Sequence, residues 1–250
     1  MTYKSIESMR TFIAELELPE ISKSTVGPNA LLLADDDPAA FVDAGSLVSF
    51  VAGVSATHKS DALNSTLLAQ LAANKKYDRE THTVEWYKFY RDVLENVGWV
   101  VQAFDFVKYN ASGTSFTVDA VIAEVLAAIA TQNDKAIIDS TIKAVKALDK
   151  GDGRLSLWDD NSSKLDKGNF QIAACADTDG VLVMKLGTFY FSTDKRVTSV
   201  LWFTFSSSST SMYKGGQAIT LNEEVYKQVR QQVIDKLGER AQKFVGDLDI

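Results

Sequence analysis

Apolar residues at Ile6, Met9, Phe12, Ile13 and Leu16 recur at three-and-four spacing behind Ser5, which predicts a short amphipathic helix that Pro19 stops. From Val26 to Asp37 the periodicity is lost. A brief apolar run, Ala30 to Ala34, and the acidic trio Asp35 to Asp37 read as a loop around an extended piece. Helical spacing then governs the chain as far as residue 150. Phe41 to Ala56 is apolar and rich in small residues, and Ala62 to Asn74 lines up Leu63, Leu67, Leu68 and Leu71 behind Ser60 or Asp61 as cap. Two further stripes, Val118 to Ile129 and Ile138 to Leu148, flank Thr131 to Asp134, predicting an antiparallel helix pair with Asn133 or Asp134 capping the second.

At Gly151 the apolar period shifts from 3.6 to 2 and glycines become frequent. Phe170 to Cys175, Val181 to Phe191 and Val197 to Phe205 read as a three-stranded meander, with turns at Asp177 to Gly180 and Ser192 to Lys195. Leu201 to Phe205 has apolar side chains on both faces, as a central strand covered on both sides would. Tyr213 to Ile219 is a candidate fourth strand and Leu155 to Trp158 a candidate edge. Thr220 with Glu223 forms a capping-box pattern before a long terminal helix carrying Tyr226, Val229, Val233, Leu237 and Phe244. The predicted fold is one α+β domain over residues 1–250. A mainly helical part (1–150) packs on an antiparallel β-meander of 3–5 strands (151–220), and the C-terminal helix (221–250) closes it.

Seven of the 25 aromatic residues, among them Trp86, Tyr87, Tyr90 and Trp99, fall between Val84 and Val107. Trp202 lies apart from them. Trp and Tyr favour bilayer interfaces, so these five residues are the candidates for contact with a membrane or ligand, with core packing as the alternative. The net charge of −7 opposes a phosphate backbone and argues against nucleic acid as a partner. No run of about 18 apolar residues and no secretory leader pattern are present, which predicts synthesis as a soluble cytoplasmic protein, with release without a cleaved signal as a further route.

The imidazoles are His58 and His82, each in polar surroundings, and neither carries the spacing of a metal site. Nucleophile-elbow, P-loop and dinucleotide patterns are absent, and no cofactor is expected. Asp149 to Asp160 has the acidic look of a calcium loop, but Leu148 and Lys150 would occupy its first and third ligand positions, so a helix-ending turn is the better reading. The single cysteine, Cys175, sits among small residues on a strand, where a thiol is either a small apolar core group or, given a neighbouring base, a nucleophile.

Ser49 to Ser55, Leu63 to Asp78, Trp86-Tyr87-Lys88-Phe89-Tyr90 and Asn96-Val97-Gly98-Trp99 together resemble a family of microbial proteins of poorly defined activity, some of them linked to virulence or to toxin gene clusters. The resemblance covers roughly residues 45 to 105 and brings no catalytic motif. It implies a non-enzymatic virulence- or toxin-associated protein that engages a membrane, lipid or partner protein. The alternatives are an enzyme using Cys175 or a histidine, and a small-ligand or lipid-binding module with a cavity between sheet and helices.

Overall fold

The computed structural model describes residues 5–20 and 35–250, so the predicted extended piece at Ala30 to Ala34 lies outside the described residues. In chain order the elements are α1 (Ile6–Glu15), β1 (Ala39–Asp43), β2 (Ser46–Phe50), α2 (Ala56–Lys76), α3 (Thr83–Asn96), β3 (Trp99–Val100), β4 (Val107–Lys108), β5 (Ser115–Thr117), α4 (Val118–Ile129), α5 (Gln132–Ala147), α6 (Gly153–Ser162) and β6 (Ser163–Lys164). There follow β7 (Lys167–Thr178), β8 (Val181–Ser192), a 3₁₀ turn (Val200–Trp202), β9 (Thr204–Ser206), β10 (Ser211–Leu221), α7 (Glu223–Leu237), α8 (Arg240–Phe244) and β11 (Val245–Leu248). The class is α+β, as the sequence predicts.

Among the described residues, nine strands form one sheet along the path β11-β1-β2-β7-β8-β10-β3, with β4 on β10 and β6 on β7. The sheet is mixed, because β2 pairs with β7 in parallel, Ser46 opposite Gln171 to Phe50 opposite Cys175. The expected simple meander is therefore replaced by a three-stranded antiparallel centre, β7-β8-β10, onto which an earlier hairpin is grafted. Asp179 and Gly180 both take positive φ and so make the tight β7–β8 turn. The expected strand Val197 to Phe205 is instead a 3₁₀ turn followed by β9, which leaves the main sheet and pairs with β5.

Every central strand is apolar on both faces, and each face has its own helical cover. Phe41, Val48, Phe50, Ala173, Cys175, Met184, Leu186 and Ile219 pack under α1, α2, α3 and α7. Val42, Leu47, Phe170, Ile172, Ala174, Phe189 and Phe191 pack under α4, α5 and α6. Strict alternation of these two sets along β7 and β8 is the period-2 geometry of a strand buried on both sides.

Several boundaries depart from the sequence reading. Phe41 to Phe50, read as helix, is the β1–β2 hairpin, and Leu155 to Trp158, read as strand, lies in α6 behind the Asp152 cap. Helix α5 starts from Thr131 rather than Asn133 or Asp134: the Thr131 side chain accepts from the Asp134 amide, and Asp134 returns the bond. The terminal helix is not single. It starts at the Asn222 cap, stops at Gly238 with φ +53, and is followed by α8 and the edge strand β11.

Candidate functional site

Helix α3 carries the densest aromatic segment and lays it against the sheet. The Trp86 ring stacks on Tyr90, with centroids 5.3 Å apart, and meets Tyr87 edge-on at 4.9 Å. Polar handles orient these rings. Trp86 Nε1 donates to Asn74 of α2 at 2.8 Å, and Trp99 Nε1 donates to the Ser65 hydroxyl at 2.8 Å. The Tyr87 hydroxyl donates to the Phe189 backbone carbonyl at 2.9 Å and accepts from Gln171 Nε2 at 2.9 Å, while the Ser46 hydroxyl donates to Gln171 Oε1 at 2.9 Å. Burial pushes the Tyr87 phenol well up, which keeps it a neutral donor.

Trp86, Tyr87, Tyr90 and Trp99 thus lie inside, and only Trp202, 44% exposed on the 3₁₀ turn, faces solvent. These five residues form no standing surface patch. The reason is physical: α3 is wedged between sheet and α2, so its aromatic face is the joint itself.

The aromatic contacts nevertheless continue outward. Tyr87 meets Phe106 at 4.9 Å, Phe106 meets Tyr190 at 5.0 Å, and Tyr190 stacks on Tyr213 at 4.7 Å. Phe104 and Phe106 belong to a strap, residues 101–106, between β3 and β4. Those strands pair with β10 only at Thr220–Leu221 and at Tyr213–Lys214. Between these points the strap is tied by Gln102 N donating to Gln217 Oε1 at 3.0 Å. It lies so close that a Cβ on Gly215 would sit 3.0 Å from the Asp105 carbonyl oxygen, tighter than an ordinary contact. Val100 and Val107, 52% and 63% exposed, flank the strap. The sequence marks the aromatic density of this segment; what it does not show is that the second half runs along a sheet edge.

His58 is not the solvated residue its neighbours suggest. Its side chain is 12% exposed at the start of α2, where Ser55 caps the helix. Nδ1 contacts Asp177 Oδ2 of β7 at 2.7 Å and Nε2 contacts Glu223 Oε2 of α7 at 3.3 Å. Arg230 reaches both Asp61 oxygens, at 2.8 and 2.7 Å, and Glu223 Oε1 at 2.7 Å. With a carboxylate on each ring nitrogen, His58 ties three elements together, and both nitrogens are already engaged within the fold. His82 is exposed, meets the Thr81 hydroxyl at 2.9 Å and makes no side-chain cap to α3.

Cys175 is buried in mid-β7, and burial pushes its thiol well up. No hydrogen bond or ion pair joins it to either histidine among the described residues. The same residues contain no group of three or more His, Cys, Asp or Glu that could hold a metal ion. A cleft of about 400 Å³ lined by Phe12, Leu16, Phe89, Lys75 and Lys76 lies on the outer side of α1, α2 and α3 rather than between helices and sheet. Asp152, from the calcium-like stretch, caps α6 and pairs with Arg154.

No family model matches this chain, and no curated protein matches it. Among solved structures, one titled delta-endotoxin is similar at 11% identity and a TM-score of 0.36, covering 82% of this chain and 90% of its own. The structure of the Evf virulence factor is similar at 15% identity and a TM-score of 0.25, covering 86% of each chain. At these TM-scores neither likeness carries an argument. No helix among the described residues is long and apolar enough to cross a membrane.

Proposed function

We propose that this chain is a non-enzymatic, virulence- or toxin-associated protein that engages a membrane through its aromatic column, with the strap 101–106 making first contact. The observation that carries the reading is the unbroken run of rings from Trp86 in the core through Phe106 to Tyr190 and Tyr213, flanked by exposed Val100 and Val107. Tyr and Trp suit the bilayer interface, and Phe side chains suit the acyl boundary beneath it. The strap lacks backbone pairing to β10 over its whole length, so it can swing outward without breaking the sheet.

Fully burying one Phe side chain contributes about 2–3 kcal/mol. Phe104 and Phe106 are already half-buried, so their transfer to lipid contributes about half of that each. The test is flotation with phosphatidylcholine vesicles and with vesicles containing phosphatidylserine, at mildly acidic pH, where the −7 charge is reduced, and at neutral and alkaline pH. The protein is expected to float, and Phe104→Ser with Phe106→Ser to lower partitioning by about 30–150-fold. No flotation under any condition overturns the membrane reading and leaves a protein partner for the same surface.

A further inference from the structure

Helices α2 and α3 rest on a carboxyl group that has no counter-charge. Asp43 ends β1 and is wholly buried, on the same face of the strand as Phe41, under the helix layer. Its Oδ2 accepts from the Thr66 hydroxyl at 2.6 Å and more distantly from Gln70 Nε2 at 3.5 Å, both from α2. Its Oδ1 has no hydrogen-bond partner. The buried Tyr90 hydroxyl of α3 has none either, and its phenol is pushed up by burial and then by the nearby Asp43 charge. Two buried polar atoms from different elements, neither with a protein hydrogen-bond partner, therefore share one joint, where each would be expected to have one.

The charged and titratable neighbours offer no relief. Behind Tyr90 lie Tyr87 and Cys175, both held neutral by burial. Arg79, whose guanidinium lies 3.1 Å from where a Cβ on Gly45 would be, is committed to Asn169. On the α8 side Lys243 pairs with Glu239, and Arg240 is bound to the Pro19 carbonyl. No cation among the described residues pairs with Asp43. A carboxyl group placed like this is accommodated when protonated and penalised when ionised, because a buried unpaired charge finds neither water nor partner.

We propose that Asp43 is a proton-held latch: uncharged, it seats α2 and α3 on the sheet, and its ionisation drives this helix layer off and uncovers the aromatic column. This rests on the membrane reading and names what would trigger it. Burial lifts the carboxyl from 3.8 to about 8, opposed by the Thr66 hydrogen bond. The folded protein thus keeps this proton to higher pH than the unfolded chain does. The stability it contributes is complete below about pH 4 and is lost as pH rises through about 8. Opening is accordingly favoured by rising pH and not by acidification.

Acrylamide quenching of tryptophan fluorescence, in a Trp202→Phe background that removes the exposed indole, reads the burial of Trp86 and Trp99 without lipid, with Trp158 in the core on the opposite sheet face as a constant buried background. Between pH 7 and 9.5 quenching is expected to rise about threefold with Asp43 present and to stay flat in Asp43→Asn. Identical pH curves for the two proteins overturn the latch. Should Asp43→Asn fail to fold, Thr66→Val keeps the carboxyl but removes the bond that favours its charged form, so the transition should move up by about one pH unit. An unmoved or lowered midpoint overturns the proposal. Vesicles that fail to bind an opened protein overturn the membrane reading and leave the latch standing.

Discussion

Asp61, on α2, and Asp43, on the strand beneath it, are both buried, but only Asp61 has a counter-charge among the described residues. Asp61 has Arg230 clamped on both oxygens, and although burial still raises its carboxyl, the guanidinium pulls it back down. Removing one partner of such a pair leaves an uncompensated charge. Arg230→Ala is therefore expected to cost about 2–3 kcal/mol in urea unfolding, below the value for a fully buried pair because Arg230 is 28% exposed. Arg230→Lys should recover less than half, since an ammonium cannot bridge both oxygens in the same fork. At this scale the sequence is least informative. His58 and Asp177 are 119 positions apart, and nothing local to Thr57-His58-Lys59 announces that a strand end will meet it. Cys175 was legible in type, a small apolar residue on a strand, because its neighbours Ala173, Ala174 and Ala176 leave no polar group beside it.

Helices with one apolar stripe, α1, α4 and α5, were readable from spacing because water on one side enforces the pattern. The β1–β2 hairpin was not, since all five residues of β2 and four of β1 are buried and a strand covered on both faces shows no alternation to read. Length was the remaining clue, and Phe41 to Ala56 looks long enough for helix only if Gly45 and Gly53 are read through rather than taken as breaks. The terminal helix was overextended for a related reason: Gly238 is its true stop, but Phe244 beyond it continues an apparent apolar series. Gly98 shows how a single residue fixes the relation of elements. With φ +107 it turns the chain from α3 into β3, and a Cβ there would meet the Tyr226 amide nitrogen at 3.2 Å at the start of α7. Gly98→Ala is expected to cost about 1–3 kcal/mol from backbone conformation and crowding together, measured as a lowered urea midpoint with unchanged slope.

For the whole molecule, the sheet separates two apolar cores, which are joined through the strands and, at one edge, by Phe244 of α8, which packs against both. Val233 of α7 belongs to one and Val145 of α5 to the other. Each truncation to Ala removes two methyl groups from a packed site and is expected to cost about 2 kcal/mol. Because the two sites share no partner, the double variant should lose the sum of the single losses to within about 0.5 kcal/mol. A clear excess over the sum would mean that the layers loosen together, which would also bear on how independently the α2–α3 layer can lift.

The order of strands in the sheet sets a further condition, on how the molecule is made. The β1–β2 hairpin is flanked by β11 on one side and by β7 on the other, and its partners lie at residues 245–248 and 171–175. A nascent chain therefore displays a two-faced apolar hairpin long before either neighbour has been synthesised, and joining it to β7 means closing a loop of more than a hundred residues. Assembly should begin with the local β7–β8–β10 unit and capture the hairpin last. During that interval the hairpin's unpaired edges can find strands of other chains, so chaperone supply and expression rate, rather than final stability, should set the yield of native protein.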